Sequence, residues 1–117
     1  MLILTIKKKW YEMILNGEKK EEYREIKPYY TTRFANALDI GTRIISSRWW
    51  HKEIDISNKK FEVMFRNGYS ADSPSFTATV SISIGTGREE WGAEPDREYY
   101  VLRILGRNVI KNGQNKD

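Results

Sequence analysis

The part of the chain best suited to chemistry is the charged run Gly17-Glu18-Lys19-Lys20-Glu21-Glu22-Tyr23-Arg24. Side chains two residues apart on a strand point to the same face, so an extended conformation places Glu22 beside Arg24, with Lys19 where the strand begins. Such a trio can form a charged network, bind a phosphate through its two cations and accept an N–H of a base through its carboxylate. The alternative is that Glu22 and Arg24 form a solvated pair on an edge strand.

Catalysis is a second use of the same residues, with Lys19 and Glu22 as the catalytic pair. A lysine acts as a nucleophile or a base only where burial or a neighbouring cation lowers its pKa. The glutamates around Lys19 in the sequence favour its charged form, so we expect a lysine that is not activated. A second carboxylate could come from Glu62 or Glu90, but neither has a defined relationship to Lys19 in the sequence.

Two other segments combine basic and aromatic side chains. Arg48-Trp49-Trp50-His51-Lys52 suits stacking on unpaired bases while its cations hold the phosphate backbone. The alternative is that one tryptophan faces the core and the other covers an end of the fold, because a strand alternates its faces. Arg66-Asn67-Gly68-Tyr69 predicts a hairpin turn that could border a cleft. The candidate nucleic-acid-binding residues are therefore Lys19, Glu22, Arg24, Trp49, Trp50 and Arg66.

The composition excludes several other kinds of site. The absence of Cys removes disulfides, thiolate nucleophiles and cysteine-based metal centres. His51 is the only histidine, so a two-histidine metal site cannot form, and we expect neither a metal nor a cofactor. The net charge of +4 favours polyanionic partners. No hydrophobic run approaches the roughly 20 residues that cross a bilayer, and the first six residues predict a strand rather than a signal peptide, so we expect a cytoplasmic protein without a membrane partner.

Hydrophobic periodicity predicts the elements that must position these residues. They are a strand over 2–6, a helix over 7–16, a polar strand over 18–26, a helix over 29–38, and strands over 42–50, 60–66, 76–84 and 99–105. Gly85-Thr86-Gly87 is expected to end the strand over 76–84. The second helix could offer Tyr and Arg side chains to a ligand, although Tyr30, Phe34 and Leu38 share a face that is expected to pack inward.

These elements indicate an α+β fold class. Short, mostly antiparallel strands at this spacing are typical of a small mixed or antiparallel β-barrel, here with two or so short helices at its ends. The sequence contains no repeat and no composition shift that would divide it, so residues 1–110 are expected to form a single domain. Residues 111–117 are expected to form a disordered tail.

The segment Gly17 to Arg24 also matches, at every defined position, the GxKxxExR signature of the ASCH family in the PUA-like superfamily. The chain resembles that family in its first strand and helix, its basic and aromatic second helix and its late strand as well. Glu90-Trp91-Gly92-Ala93 is similar to a loop of small phage-associated relatives. The resemblance implies a PUA-like barrel that holds RNA or a nucleobase-like ligand in a cleft lined by the signature.

Several functions follow from the resemblance. RNA binding would place Lys19 and Arg24 on phosphate, with Glu22 orienting Arg24 or contacting a base edge. A bacterial group of relatives hydrolyses the amide of N4-acetylated cytidine, which implies as an alternative a small hydrolase, an amidohydrolase or a ribonuclease. That group carries Thr where this chain has Glu22, and the departure weakens the hydrolase interpretation. A third interpretation is an accessory domain that binds protein through aromatic residues. We expect a monomer.

Overall fold

The fold is described by a computed structural model over residues 1–41 and 59–111, with side chains as far as Asn108. The elements in chain order are β1 (Leu2–Thr5), α1 (Lys8–Leu15), β2 (Glu21–Arg24), α2 (Pro28–Leu38), β3 (Phe61–Arg66), β4 (Ser75–Thr86) and β5 (Glu98–Lys111). The predicted strand over 42–50 and the part of the predicted tail after Lys111 lie outside the described residues. In the described ranges, no helix is long and apolar enough to span a membrane.

The described strands form one mixed sheet in the order β1-β3-β4-β5-β2. β1 pairs with β3 in parallel, and every other pair is antiparallel. The long pair β4 and β5 shifts register after Thr77 and again after Thr79, and such irregularities bend and twist a sheet. The sheet consequently curves into a half-barrel with β1 and β2 as its two edges. The predicted fold class, a small α+β barrel-like domain with two short helices, is confirmed.

Several predicted element boundaries are wrong because pairing with a neighbour overrides local sequence signals. β4 continues to Thr86, since Gly85 pairs with Tyr99 instead of ending the strand. β5 continues well past the predicted end at residue 105, and Lys111, the first residue of the predicted tail, pairs with Ser75. The polar strand predicted over 18–26 is shorter, because only Glu21–Arg24 pairs with β5.

Both helices pack against the sheet through aromatic residues. Tyr11 of α1 meets Phe76 of β4 with ring centroids 5.1 Å apart, and Phe34 of α2 meets Tyr100 of β5 at 5.2 Å. All four are buried, and burying one such side chain stabilises a fold by roughly 1.5–3 kcal/mol. Phe34 and Leu38 of the expected inward face of α2 are buried, whereas Tyr30 is only partly buried and its hydroxyl accepts a bond from Arg24 of β2. This packing fixes the start of α2 beside the end of β2.

Candidate functional site

The signature segment begins where α1 ends. Gly17 has a φ of 88°, a left-handed conformation that costs glycine little and lets the chain leave the helix sharply. Its N–H donates to the carbonyl of Ile14, and the N–H of Lys19 donates to the carbonyl of Met13. These bonds tie the signature to the last turn of α1, so the side chain of Lys19 enters the interior at the start of β2.

Glu22 lies at the centre of a buried charged network. Its carboxylate is 3.3 Å from Nζ of Lys19 and 2.7 Å from Nη2 of Arg24, and it also accepts a bond of 2.9 Å from Nε of Arg24. Tyr23 points to the opposite face, where its ring packs against Tyr99. The predicted alternation is therefore confirmed, and the solvated-pair alternative is wrong because Glu22 is buried.

Lys19 is enclosed by protein and does not reach solvent. Only 1 % of its side chain is exposed, and Nζ donates a 2.6 Å bond to the carbonyl of Trp91 in addition to its pairing with Glu22. The rings of Trp10 and Tyr23 also lie within about 5 Å of Nζ. Burial lowers the pKa of Lys19, and the attraction of Glu22 only partly offsets it.

This environment bears on two expectations for Lys19. The sequence predicted a lysine that is not activated, because its acidic neighbours favour the charged form, but burial has the larger effect on its pKa. The expected contact between Lys19 and a phosphate is not supported by this conformation, since the ammonium group is already held by Glu22 and Trp91. Lys19 instead ties β2 to the loop between β4 and β5.

Arg24 joins three elements with one guanidinium group. Nη2 donates a 3.0 Å bond to the carbonyl of Thr5 at the end of β1, and Nη1 donates a 3.1 Å bond to the hydroxyl of Tyr30 on α2. With the bond from Nε to Glu22, three of the five guanidinium N–H groups make hydrogen bonds, and Nη2 also forms an ion pair with that carboxylate. Burial opposes the charge, but Glu22 and Tyr30 outweigh it and raise the pKa of Arg24 overall. Arg24 is thus a permanent cation that connects the two edges of the half-barrel.

A cleft of about 700 Å³ opens beside Arg24, and we call it the basic cleft. It lies between β1, the end of β2, the start of α2 and the turn after β3. Its described lining consists of Ile3, Leu4, Thr5, Ile6, Lys7, Arg24, Lys27, Tyr29, Tyr30, Arg33, Asn67, Gly68 and Tyr69. This described lining contains four cations and three tyrosines but no carboxylate, so the cleft is suited to an anionic ligand with flat, stackable groups.

A smaller hollow of about 290 Å³ adjoins the basic cleft and shares Arg24 and Tyr30 with it. Glu22, Trp10 and Tyr23 contribute to its lining. The central carboxylate of the network therefore borders an open space, whereas Lys19 lines neither this hollow nor the basic cleft.

The other residues predicted for the site have different outcomes. Asn67, Gly68 and Tyr69 border the basic cleft, as expected for the turn after β3. Arg66 precedes that turn but is not part of the described lining, and its Nη2 lies 3.8 Å from the sulfur of Met64. Trp49 and Trp50 lie outside the described residues, as does His51.

The carboxylates considered as catalytic partners do not contact Lys19. Glu62 accepts a bond from Asn108, and Glu90 forms an ion pair with Arg88 on the surface. Over residues 1–41 and 59–111, no group of three or more His, Cys, Asp or Glu side chains is arranged to hold a metal ion. The charged network of Lys19, Glu22 and Arg24 is thus the chemistry that these parts of the chain bring together.

Lys7 and Lys27 line the basic cleft and were not among the candidates predicted from the sequence. Each occupies the position immediately before a helix, where Ser, Thr, Asp or Asn is usually preferred, and neither helix has an acidic residue in its first turn. A cation at the positive end of a helix is unfavourable unless an anion compensates it, as Glu25 does for Lys27 through an ion pair of 2.9 Å. Two lysines at helix starts, together with Arg33 as the sixth residue of α2, were the sequence signal that could have located the cleft.

Comparisons of the chain with protein-family models, with curated proteins and with solved structures found no significant match. The basic cleft and the charged network beside it are therefore the features that bear on function.

Proposed function

We propose that the protein binds single-stranded RNA, or a nucleotide-like part of it, in the basic cleft. The observation that carries this proposal is the lining of the cleft, which combines four cations with three tyrosines. Single-stranded nucleic acids are bound by this combination, because cations follow the phosphates while unpaired bases stack on aromatic rings. Lys7, Lys27 and Arg33 are exposed and provide the phosphate contacts.

The tyrosines at the rim provide the stacking surfaces. Tyr69 is 92 % exposed and Tyr29 is 53 % exposed, and both line the cleft. The guanidinium of Arg33 lies 3.5 Å from the ring centroid of Tyr29 and donates to the carbonyl of the same residue, so it extends this flat surface. Stacking of a base on such a ring is worth about 1–3 kcal/mol.

The signature residues organise the cleft in this proposal. Arg24 holds β1 and α2 in place and offers its remaining Nη1 N–H to a ligand. Glu22 orients Arg24, as the resemblance implied, and Lys19 supports Glu22 from the interior. The resemblance to the ASCH family agrees with this arrangement and remains part of the proposal.

A test of RNA binding is the salt dependence of affinity for a triple variant. Each phosphate contact to a single strand contributes about 0.7 to the slope of log K against log salt concentration. Replacing Lys7, Lys27 and Arg33 with Gln should therefore reduce the slope by about 2 and weaken binding at low salt. The matched control replaces Lys8, Lys60 and Arg103 with Gln. These three residues carry the same total charge, are exposed and lie outside the cleft lining. Equal losses in both variants would contradict the site, and binding insensitive to salt would favour a protein ligand.

A second candidate function is hydrolysis of a modified nucleoside or of RNA, and the lowered pKa of Lys19 favours it. Glu22 lies 3.3 Å from Nζ of Lys19 and borders the smaller hollow, so the pair adjoins a space for a substrate. In the described conformation Nζ of Lys19 is hydrogen-bonded to the carbonyl of Trp91. The loop between β4 and β5 would therefore have to move before Lys19 could react. Turnover of N4-acetylcytidine that is lost in Lys19→Met and in Glu22→Gln, with both variants folded, would support this function. Absence of turnover by the unaltered protein would exclude that substrate.

A further inference from the structure

The edge strand β1 presents backbone groups to the basic cleft. Among the described strands, β1 pairs only with β3, and its residues Ile3 to Thr5 line the cleft. Edge strands carry unpaired N–H and C=O groups that can bind any ligand with matching donors and acceptors.

The ladder shows which groups of β1 face the cleft. The N–H of Ile6 donates to the carbonyl of Arg66, so the backbone of Ile6 points toward β3. Backbone groups of alternate residues in a strand point to opposite sides, so those of Ile3 and Thr5 point away from β3. The bond from Arg24 to the carbonyl of Thr5 confirms this direction. The C=O of Ile3 and the N–H of Thr5 are consequently a neighbouring acceptor and donor on the cleft side of β1.

We propose that this acceptor and donor bind the Watson–Crick edge of one unpaired base, which makes the site selective for single strands. The inference rests on the proposed RNA-binding function and adds the part of the ligand that is recognised. Every RNA base carries a donor beside an acceptor on that edge, and in uracil these are the N3–H and a ring carbonyl. The C=O of Ile3 accepts the N–H of the base, and the N–H of Thr5 donates to its acceptor.

The surroundings of β1 favour a base over an extended peptide. A peptide added to an edge strand is selected by pockets for its alternate side chains, and β1 itself spans only four residues. A base needs only one acceptor, one donor, a flat surface for stacking and a cation for its phosphate. In the same cleft Tyr29 and Tyr69 supply the flat surface, and Lys27 supplies the cation. In a duplex the Watson–Crick edge is already occupied, so a duplex cannot use β1.

The test uses two short RNA oligomers that differ in one atom group. An oligouridine and the same oligomer built from N3-methyluridine have equal charge and similar stacking. The methyl group replaces the N3–H, which is the donor of the hydrogen bond to the C=O of Ile3. We expect the methylated oligomer and a blunt RNA duplex to bind at least about tenfold more weakly, as expected for the loss of hydrogen bonds in a partly enclosed site. Equal binding of both oligomers would overturn this inference and leave the proposed function intact.

A pair of variants tests the protein side. Thr5→Pro deletes the N–H assigned to the base, and proline is tolerated where a strand N–H faces away from the sheet. The control is Lys60→Pro, which places a proline at an exposed position just before β3 and outside the cleft lining. Thr5→Pro should weaken oligouridine binding about tenfold, and Lys60→Pro should weaken it less than threefold. Because the methylated oligomer is tested on the unaltered protein, a misfolded variant does not decide the outcome. Binding of neither oligomer would overturn the proposed function as well, and displacement of oligouridine by an acidic peptide would assign β1 to a peptide.

Discussion

Glu22 holds two buried or nearly buried cations, Lys19 and Arg24, at the same carboxylate. Removing one member of a buried ion pair leaves the other charges without compensation and typically costs about 3–5 kcal/mol. Glu22→Gln should therefore lower the free energy of unfolding by about 3 kcal/mol. Glu18→Gln, at an exposed position in the same segment, should change it by less than about 0.5 kcal/mol. Urea denaturation of the two variants measures the difference, and equal effects would show that the network does not stabilise the fold.

The sequence predicted this network well because its geometry is local. Glu22 and Arg24 are two residues apart on one strand, so alternation alone places them together. The burial of Lys19 could not be predicted in the same way. Its partner Trp91 is 72 residues away in the sequence, and only the fold brings that carbonyl to the ammonium group.

The loop between β4 and β5 is the element that closes over Lys19. Its entry depends on Gly87, where an added Cβ would lie 2.6 Å from the ring of Tyr23 and 2.8 Å from Cβ of Ala93. We expect Gly87→Ala to destabilise the protein by about 1–3 kcal/mol, as overpacking usually does. Gly85→Ala is the matched control, since nothing lies within 4 Å of an added Cβ there. Thermal unfolding of both variants tests this, and a neutral Gly87→Ala would mean that the loop packs more loosely than described.

At the scale of elements, helices were easier to predict than strand ends. The face of α2 that carries Phe34 follows from residue spacing, and its burial agrees with that spacing. The end of β4 does not follow from its own residues, because pairing of Gly85 with Tyr99 overrides a local break signal. The cleft was harder still to foresee, since it forms where β1, α2 and the turn after β3 meet.

The molecule as a whole should lose stability in alkali because of its buried tyrosines. Burial raises the pKa of Tyr11, Tyr23 and Tyr100 above the ordinary value of 10.0. The unfolded chain therefore releases these protons first, so the stabilisation is complete below about pH 10 and is lost as the pH rises toward the folded-state pKa values. Lys19 acts in the opposite direction up to its ordinary pKa of 10.5, because the unfolded chain holds that proton more tightly. The decline should thus be clearest above about pH 10.5.

Two variants distinguish the contributions of Tyr11 and Tyr100 to this pH dependence of stability. The hydroxyl of Tyr11 is buried and has no hydrogen-bond partner in the described part of the chain, so Tyr11→Phe should stabilise the fold by about 1 kcal/mol and reduce the alkaline loss. The hydroxyl of Tyr100 lies 2.6 Å from that of Thr31, so Tyr100→Phe should destabilise the fold at neutral pH. Free energies of unfolding from pH 8 to pH 12 check both. A flat profile for the unaltered protein would contradict the burial of these hydroxyls.

Photocrosslinking shows whether single-stranded RNA lies in the basic cleft. A short RNA that contains 4-thiouridine is irradiated with the protein, and the modified residues are identified by mass spectrometry. We expect crosslinks to Tyr29 or Tyr69 that disappear when an excess of unmodified RNA competes. Crosslinks confined to the exposed residues of β5, such as Arg103 and Leu105, would place the RNA on another surface and overturn the proposed site.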